Sequence, residues 1–380
     1  MADTMQGNIF HSWFASQIGK LYETEPLAAD GGALLGLPVW GERYIERLTR
    51  YCLPSLLTPA NSAALRKMGA SFVFFTDDVL ALWRRVAFLE RAGFPVRIHK
   101  IAEEVIKAAS EGEVKYLMLG AVQNICVQMA ARSGRGFYML MPDVLYAAGY
   151  FESLERLARD HEAIVQNAPA LDIEAAAADI EGFRSDGALT IPALELGDLC
   201  WKHLHQAWRT VLADTEGFRH FNIITWRARD GMHMASPFMA PVWLGPQLCR
   251  EAPVVAPAPL DTEVPALAPR GWCIPGPSDG MTMIELSDSG KHPPSPASFE
   301  DFMFTWWRQM SFTDAYLAVA AERYIVPMSP VADATADSDI EKLHAGIITA
   351  MGNYKPRAME KFLVGTMTMR MRLMQRHGGR

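Results

Sequence analysis

Gly136-Phe137-Tyr138-Met139-Leu140-Met141-Pro142-Asp143-Val144-Leu145-Tyr146-Ala147-Ala148-Gly149 is an apolar run that carries a single carboxylate. A short apolar run closed by Gly and Pro predicts a buried strand. In open α/β sheets, ligands sit outside the carboxyl ends of the strands, so Asp143 stands where a ligand group is expected. Pro-Asp after a strand is also ordinary turn chemistry, and the run by itself leaves both readings open.

Upstream, the same grammar repeats. Ala33-Leu34-Leu35-Gly36-Leu37-Pro38-Val39-Trp40-Gly41 predicts a first strand and turn, followed by a helix over 42–57 with Tyr44, Ile45, Leu48, Tyr51 and Cys52 at helical spacing. Ala70-Ser71-Phe72-Val73-Phe74-Phe75 predicts a second strand, broken by Thr76-Asp77-Asp78 before a helix over 79–92. Val96-Arg97-Ile98-His99-Lys100 is a third strand, and a helix over 115–131 leads back to Gly136. Strands alternating with helices imply a mostly parallel sheet covered on both faces. Before this unit, Phe10, Trp13, Phe14, Ile18 and Leu21 suit a short amphipathic helix, an N-terminal appendage over 1–32.

Downstream, helices are predicted over 150–160, 174–180 and 192–213, with a strand over 161–166 between them. The pattern changes after Gly187. His220–Trp226 and Ala240–Leu244 read as strands around a loop, Arg229-Asp230-Gly231-Met232-His233-Met234, which suggests a more antiparallel second half. Recurrent proline from 252 to 277 reads as an extended connection, and with the small strand over 276–287 it forms a segment spanning 251–298. Residues 299–380 read as helical. From Lys355 onward, basic and apolar residues interleave as in a helix that lies on an anionic membrane surface or packs on its own domain.

The 380 residues are 50% hydrophobic, enough for a full core in one large or two smaller domains, and the net charge of −7 offers no footprint for nucleic acid. Cys52, Cys126, Cys200, Cys249 and Cys273 are odd in number and scattered, which suits reduced thiols rather than a disulfide framework or a zinc ribbon. No segment matches a secretory signal or a membrane span. The expectation is a cytoplasmic protein, with peripheral contact at the inner face of a membrane through the basic C-terminal helix.

Three strand ends offer functional groups to one sheet edge: Pro38 and Trp40, Thr76-Asp77-Asp78, and Asp143. A carboxylate there can hydrogen-bond a base or ribose, and an indole can cover a ring face. Asp77 and Asp78 read equally as the cap and first-turn acid of the following helix. Neither Gly-x-Gly-x-x-Gly nor a P-loop follows the first strand, and Gly-x-Ser-x-Gly and His-Glu-x-x-His are absent.

The order of elements resembles the GT-A type of nucleotide-sugar-dependent glycosyltransferase over roughly residues 33–250. The resemblance is carried by Leu35-Gly36-Leu37-Pro38-Val39-Trp40, Phe74-Phe75-Thr76-Asp77 and Tyr138–Tyr146. It implies an α/β, Rossmann-like domain with a smaller mixed C-terminal part, and transfer of a sugar from a nucleoside diphosphate to a glycan, lipid or protein acceptor. Pro38, Trp40, Thr76, Asp77 and Asp143 would hold the donor. The family's acidic motif is Asp-x-Asp and holds a divalent cation, Mn²⁺ or Mg²⁺, whereas Asp143 is followed by Val144 and Leu145. A cation would then need a later ligand, for which His233 is the candidate. Without a cation, Arg227, Arg229 or a lysine of a mobile loop would face the diphosphate. An inverting transfer also needs a base for the acceptor proton, with Asp230, Asp279 and Glu285 as candidates. Two other classes stay open: a nucleotidyltransferase, which would want a basic first turn, and a non-catalytic carbohydrate- or nucleotide-binding protein.

Overall fold

The structure is a computed structural model that describes residues 12–17, 31–109, 114–209, 212, 223–235, 240–251, 271–290, 322–330, 342, 345–346 and 348–349. Its strands are, in chain order, β1 (Ala33–Pro38), β2 (Ser71–Thr76), β3 (Val96–Lys100), β4 (Gly136–Met139) and β5 (Val144–Tyr146). They continue with β6 (Ala163–Gln166), β7 (Ala170–Asp172), β8 (Arg184–Ser185), β9 (Ala188–Leu189) and β10 (Ile224–Arg227). The last are β11 (Gly231–Ala235), β12 (Ala240–Leu244), β13 (Trp272–Cys273), β14 (Met283–Ser287) and β15 (Tyr324–Pro327).

The central sheet runs β13-β6-β12-β4-β1-β2-β3. Pairing is parallel throughout except where β12 runs antiparallel between β4 and β6. The middle strands are buried on both faces, which is why they read as near-continuous apolar runs. Successive residues alternate between two cores. Leu35, Leu37, Phe72, Phe74, Tyr138 and Leu140 face one cluster, and Leu34, Val73, Phe75, Phe137 and Met139 the other. The helical run from Glu42 to Leu56 and the helices Pro59–Lys67 and Val79–Val86 supply the first cluster. Helix Val114–Arg132 supplies the second through Met118, Val122, Ile125 and Cys126. Gly36 is required there, because a Cβ would stand 2.5 Å from the Cys126 sulfur.

This covering fixes the topology. From β1 the chain builds outward through β2 to β3, then helix Val114–Arg132 returns across the opposite face to lay β4 on the far side of β1. The direction of the connections therefore reverses between β1 and β4.

Three smaller sheets complete the described part, one of them the antiparallel pair β8-β9. β5-β14-β7 pairs β14 antiparallel to β5 and parallel to β7, and β10-β11-β15 is antiparallel. Several expectations change. Residues 136–149 hold two strands in two different sheets, because Pro142 and Asp143 turn the chain between β4 and β5. Met232-His233-Met234, expected in a loop, is the buried middle of β11, bonded on one side to β10 and on the other to β15. The helix expected over 192–213 is two, Ala193–Lys202 and Gln206–Arg209. Trp272–Cys273, expected in a surface connection, is the edge strand of the central sheet. Near the N-terminus, Trp13 and Phe14 are buried in the second cluster. The basic C-terminal helix from Lys355 lies outside the described residues. Among those described, no helix is long and apolar enough to cross a membrane.

The His99 ring stacks on Phe75 at 4.9 Å, and its Nε2 is buried without a hydrogen-bond partner among the described residues. Burial, with Arg97 adding, lowers its pKa below the ordinary imidazole value of 6.5. A depressed histidine pKa stabilises the fold above the unfolded-state value, and that contribution is lost as pH falls. The melting temperature is therefore expected to drop as pH is taken from 7 towards 5, and His99→Phe to flatten that part of the profile. Thermal melts of both proteins across this range check it.

Candidate functional site

Ligands of open α/β sheets bind in the crevice outside the strand carboxyl ends where the connections reverse, which here is the gap between β1 and β4. The β1 ladder extends past its end, with the Val39 amide donating to the Phe75 carbonyl at 2.8 Å and the Leu140 amide to the Gly36 carbonyl at 3.1 Å. Trp40 follows, half-buried against the second core cluster. Gly41, at φ 76°, then turns the chain into the helix beginning at Glu42. That backbone angle favours glycine.

On the neighbouring strand, Thr76 is buried and its hydroxyl donates to Asp77 Oδ1 at 3.2 Å. The same oxygen accepts from the Asp78 amide at 3.1 Å. Asp78 caps helix Val79–Val86 by accepting from the Ala81 amide at 2.9 Å. The capping reading thus fits Asp78, while Asp77 is a pre-oriented carboxylate at the sheet edge. With β1 between β2 and β4, and strands about 4.8 Å apart, Thr76-Asp77 and the end of β4 are separated by roughly 10 Å. The topology brings Pro38, Trp40, Thr76, Asp77 and Asp143 to one edge.

Asp143 is half-buried. Its carbonyl accepts from the Leu286 amide at 2.7 Å, continuing the pairing of β5 with β14. This stitch brings Asp288, just past the end of β14, to the diagonal position from Asp143, a Cα separation of about 7–8 Å in an antiparallel pair. Asp288 is gripped from three sides. Arg47 forms an ion pair with Oδ1 and donates to the Leu286 carbonyl at 2.9 Å, and Arg43 reaches Oδ2 at 2.6 Å. His205 Nδ1 accepts from the Ala207 amide at 3.2 Å, so Nε2 bears the proton and donates to the Asp288 carbonyl at 2.9 Å. Cys52 donates its thiol to the Met141 carbonyl at 3.3 Å, and burial, with Asp143 adding, pushes that thiol well up. Cys52 is a structural hydrogen-bond donor.

The other expected site residues are placed differently. Glu285 lies on β14 in register with Val144, next to the stitch, and its Oε1 accepts from the Ser287 hydroxyl at 3.0 Å. Asp279 precedes β14 and stands beyond the end of that strand opposite Asp288. It pairs with Arg156 and accepts from the Gly276 amide at 2.8 Å, which closes a 3₁₀ turn. His233 Nε2 meets Asp230 Oδ1 at 2.8 Å on the β10-β11-β15 sheet. Partial burial raises the Asp230 pKa, but the bond to His233 outweighs it and leaves the carboxyl below its ordinary value. Arg227, expected to face a diphosphate, donates instead to the Ser329 carbonyl at 2.7 Å and lies over the Trp201 ring. Arg229 is exposed beyond the end of β10.

Among the described residues, no group of three or more His, Cys, Asp or Glu is gathered closely enough to hold a metal. Asp143 lies in the turn between β4 and β5 while His233 is in β11 of another sheet, and both Asp288 oxygens are engaged by arginine. The described residues do not fit a protein cage for Mn²⁺ or Mg²⁺. Sequence reading missed Arg43, Arg47 and Asp288. The available signal was the alternating stretch Met283-Ile284-Glu285-Leu286-Ser287 closed by Asp288, which repeats the strand-then-acid form of the run at 136–143.

The chain matches no protein-family model and no curated protein. Its fold aligns with solved structures. S. aureus TarS 1–349 matches at 10% identity with TM-score 0.38, over 85% of this chain and 71% of that one. The same fragment in complex with UDP-GlcNAc gives TM-score 0.34 at 10% identity, over 85% and 72%, and the chain spans 43% of the longer TarS structure. Core-mannan synthase A from Aspergillus fumigatus, in its Mn/GDP form, gives 0.22 at 12% identity, over 43% and 52%. These neighbours are glycosyltransferases. Superpositions this loose decide nothing about the site, whose chemistry rests on its own residues.

Arg47 has only 6% of its side chain exposed and ties the helix after β1 to β14. Arg47→Met is expected to cost about 3 kcal/mol, the lower end for breaking a buried pair because Arg43 still partners Asp288, and Asp78→Ala about 1 kcal/mol through the lost cap. Urea unfolding of the two variants measures both.

Proposed function

We propose that this chain is a GT-A-type glycosyltransferase whose donor, a nucleoside diphosphate sugar, binds in the crevice between β1 and β4. The single observation that carries the reading is the reversal point itself, bordered by Trp40, Asp77 and Asp143. The half-buried indole of Trp40 suits the face of a base or ribose. Asp77, held by Thr76 and the Asp78 amide, is an acceptor aimed at hydroxyl or amino hydrogens. Asp143 is the acceptor for the ribose or sugar on the far side of β1.

Transfer consists of attack by an acceptor hydroxyl on the anomeric carbon while the bond to the diphosphate oxygen breaks. In an inverting transfer, the acceptor proton goes to a carboxylate on the opposite side of the sugar. Asp230, Asp279 and Glu285 are the candidate acids: Glu285 lies on the strand paired beside Asp143, Asp279 pairs with Arg156 and Asp230 with His233. The acceptor is a glycan, lipid or protein hydroxyl, and we place the reaction in the cytoplasm or at the inner face of a membrane.

Thermal-shift and calorimetric titration with UDP, GDP, ADP, CDP, dTDP and their sugar conjugates, with and without Mn²⁺ and Mg²⁺, is expected to give one saturable ligand. Absence of any response overturns the reading. Asp143→Ala should lower transfer or donor affinity on the order of a hundred-fold while the fold is retained. Binding without transfer to any tested acceptor would favour the non-catalytic alternative, which the single acid of the motif motivates.

A further inference from the structure

Arg43 is in the first turn of the helix that leaves β1, one residue pair beyond Gly41, at the mouth of the crevice. Its side chain is 55% exposed, while that of Arg47, one turn on, is 6% exposed. The two arginines share Asp288 but differ in what else they hold. Arg47 also caps the Leu286 carbonyl, and Arg43 reaches the Tyr44 hydroxyl at 3.3 Å, with its guanidinium 4.9 Å over the Tyr44 ring. The Asp288 and Tyr44 bonds engage two of the five N–H groups of a guanidinium. If Arg43 turns to another anion, Asp288 keeps Arg47 and is not left unpaired.

Resting on the donor-site reading above, we propose that Arg43 is the residue that binds the donor diphosphate, exchanging Asp288 for phosphate oxygens while Arg47 holds Asp288 in place. Arg43 presents a planar fork suited to two phosphate oxygens. It lies within electrostatic reach of Asp143, and its own charge is secure: partial burial lowers its pKa, but Tyr44, Asp288 and Asp143 outweigh that and leave it raised. Bond cleavage places the leaving electron pair on the diphosphate oxygen, and a guanidinium there stabilises the developing charge. Tyr44 covers one face of the guanidinium and leaves the other open to a ligand.

The test titrates wild type, Arg43→Gln and Arg43→Lys with the five nucleoside diphosphates and the matching monophosphates, at 50 and 300 mM salt. For the diphosphate that wild type binds, Arg43→Gln is expected to weaken affinity about ten- to a hundred-fold and to reduce its salt dependence, with a smaller loss for the monophosphate. Arg43→Lys should fall between, keeping the charge but not the fork. Equal affinity of wild type and Arg43→Gln overturns the assignment while leaving the donor site intact, as does an equal loss for mono- and diphosphate. A wild type that binds no nucleotide overturns the donor-site reading instead. Melting temperatures of the variants, expected to stay near wild type because Arg43 is exposed, separate lost binding from lost folding.

Discussion

The amide of Leu286 meets the carbonyl of Asp143 at 2.7 Å, and the edge of the molecule is organised by that bond. It joins residues 143 positions apart and extends the β5–β14 pairing to the point where β4 has just ended. Without it, Asp143 would close an ordinary turn. With it, two chain segments that each end in an acid arrive side by side, and Asp288 comes within reach of the helix that follows β1. Arg47 completes the triangle by bonding both the Leu286 carbonyl and the Asp288 carboxylate from that helix. The strand, the turn and the helix therefore hold one another through polar contacts at a place where three apolar elements end.

Rigidity on the central-sheet side comes from a different source. β1, β2 and β4 are buried on both faces, and their side chains alternate into two separate cores. A strand so clamped cannot shift by one residue without moving every side chain to the wrong face. The positions of Trp40, Thr76 and Asp143 along the edge are thus set by packing, while their chemistry is set by short local bonds such as Thr76 to Asp77.

These two sources explain what could be read in advance. Ala33–Pro38, Ser71–Thr76 and Gly136–Met139 were visible because parallel strands buried on both faces leave continuous apolar runs, and the helices between them show their own period. Hence the sheet edge, and the placing of Pro38, Trp40, Thr76, Asp77 and Asp143 along it, were legible. β5 was not, since three residues after Pro142-Asp143 look like the tail of the preceding strand. β11 was hidden by Gly231 and His233, which read as loop residues until β10 and β15 bracket them. The Arg43–Asp288–Arg47 cluster depends on a pairing across more than two hundred residues, and no local pattern announces such a contact.

Charge ties the cluster to the lone acid of the motif. On the proposed reading, a chain of net charge −7 disfavours approach of the anionic donor, and the crevice has to supply its own cation. Where two carboxylates face a diphosphate, two further negative charges have to be balanced, which is the task of a divalent ion. With Asp143 alone in the motif and Asp288 held by Arg47, one carboxylate fewer faces the diphosphate than in an Asp-x-Asp motif, and the excess negative charge that a divalent ion would offset is reduced by one. On that reading the missing second Asp and the exposed Arg43 are two sides of one electrostatic arrangement, in which the buried Arg47 keeps Asp288 in place and the exposed Arg43 meets the phosphate.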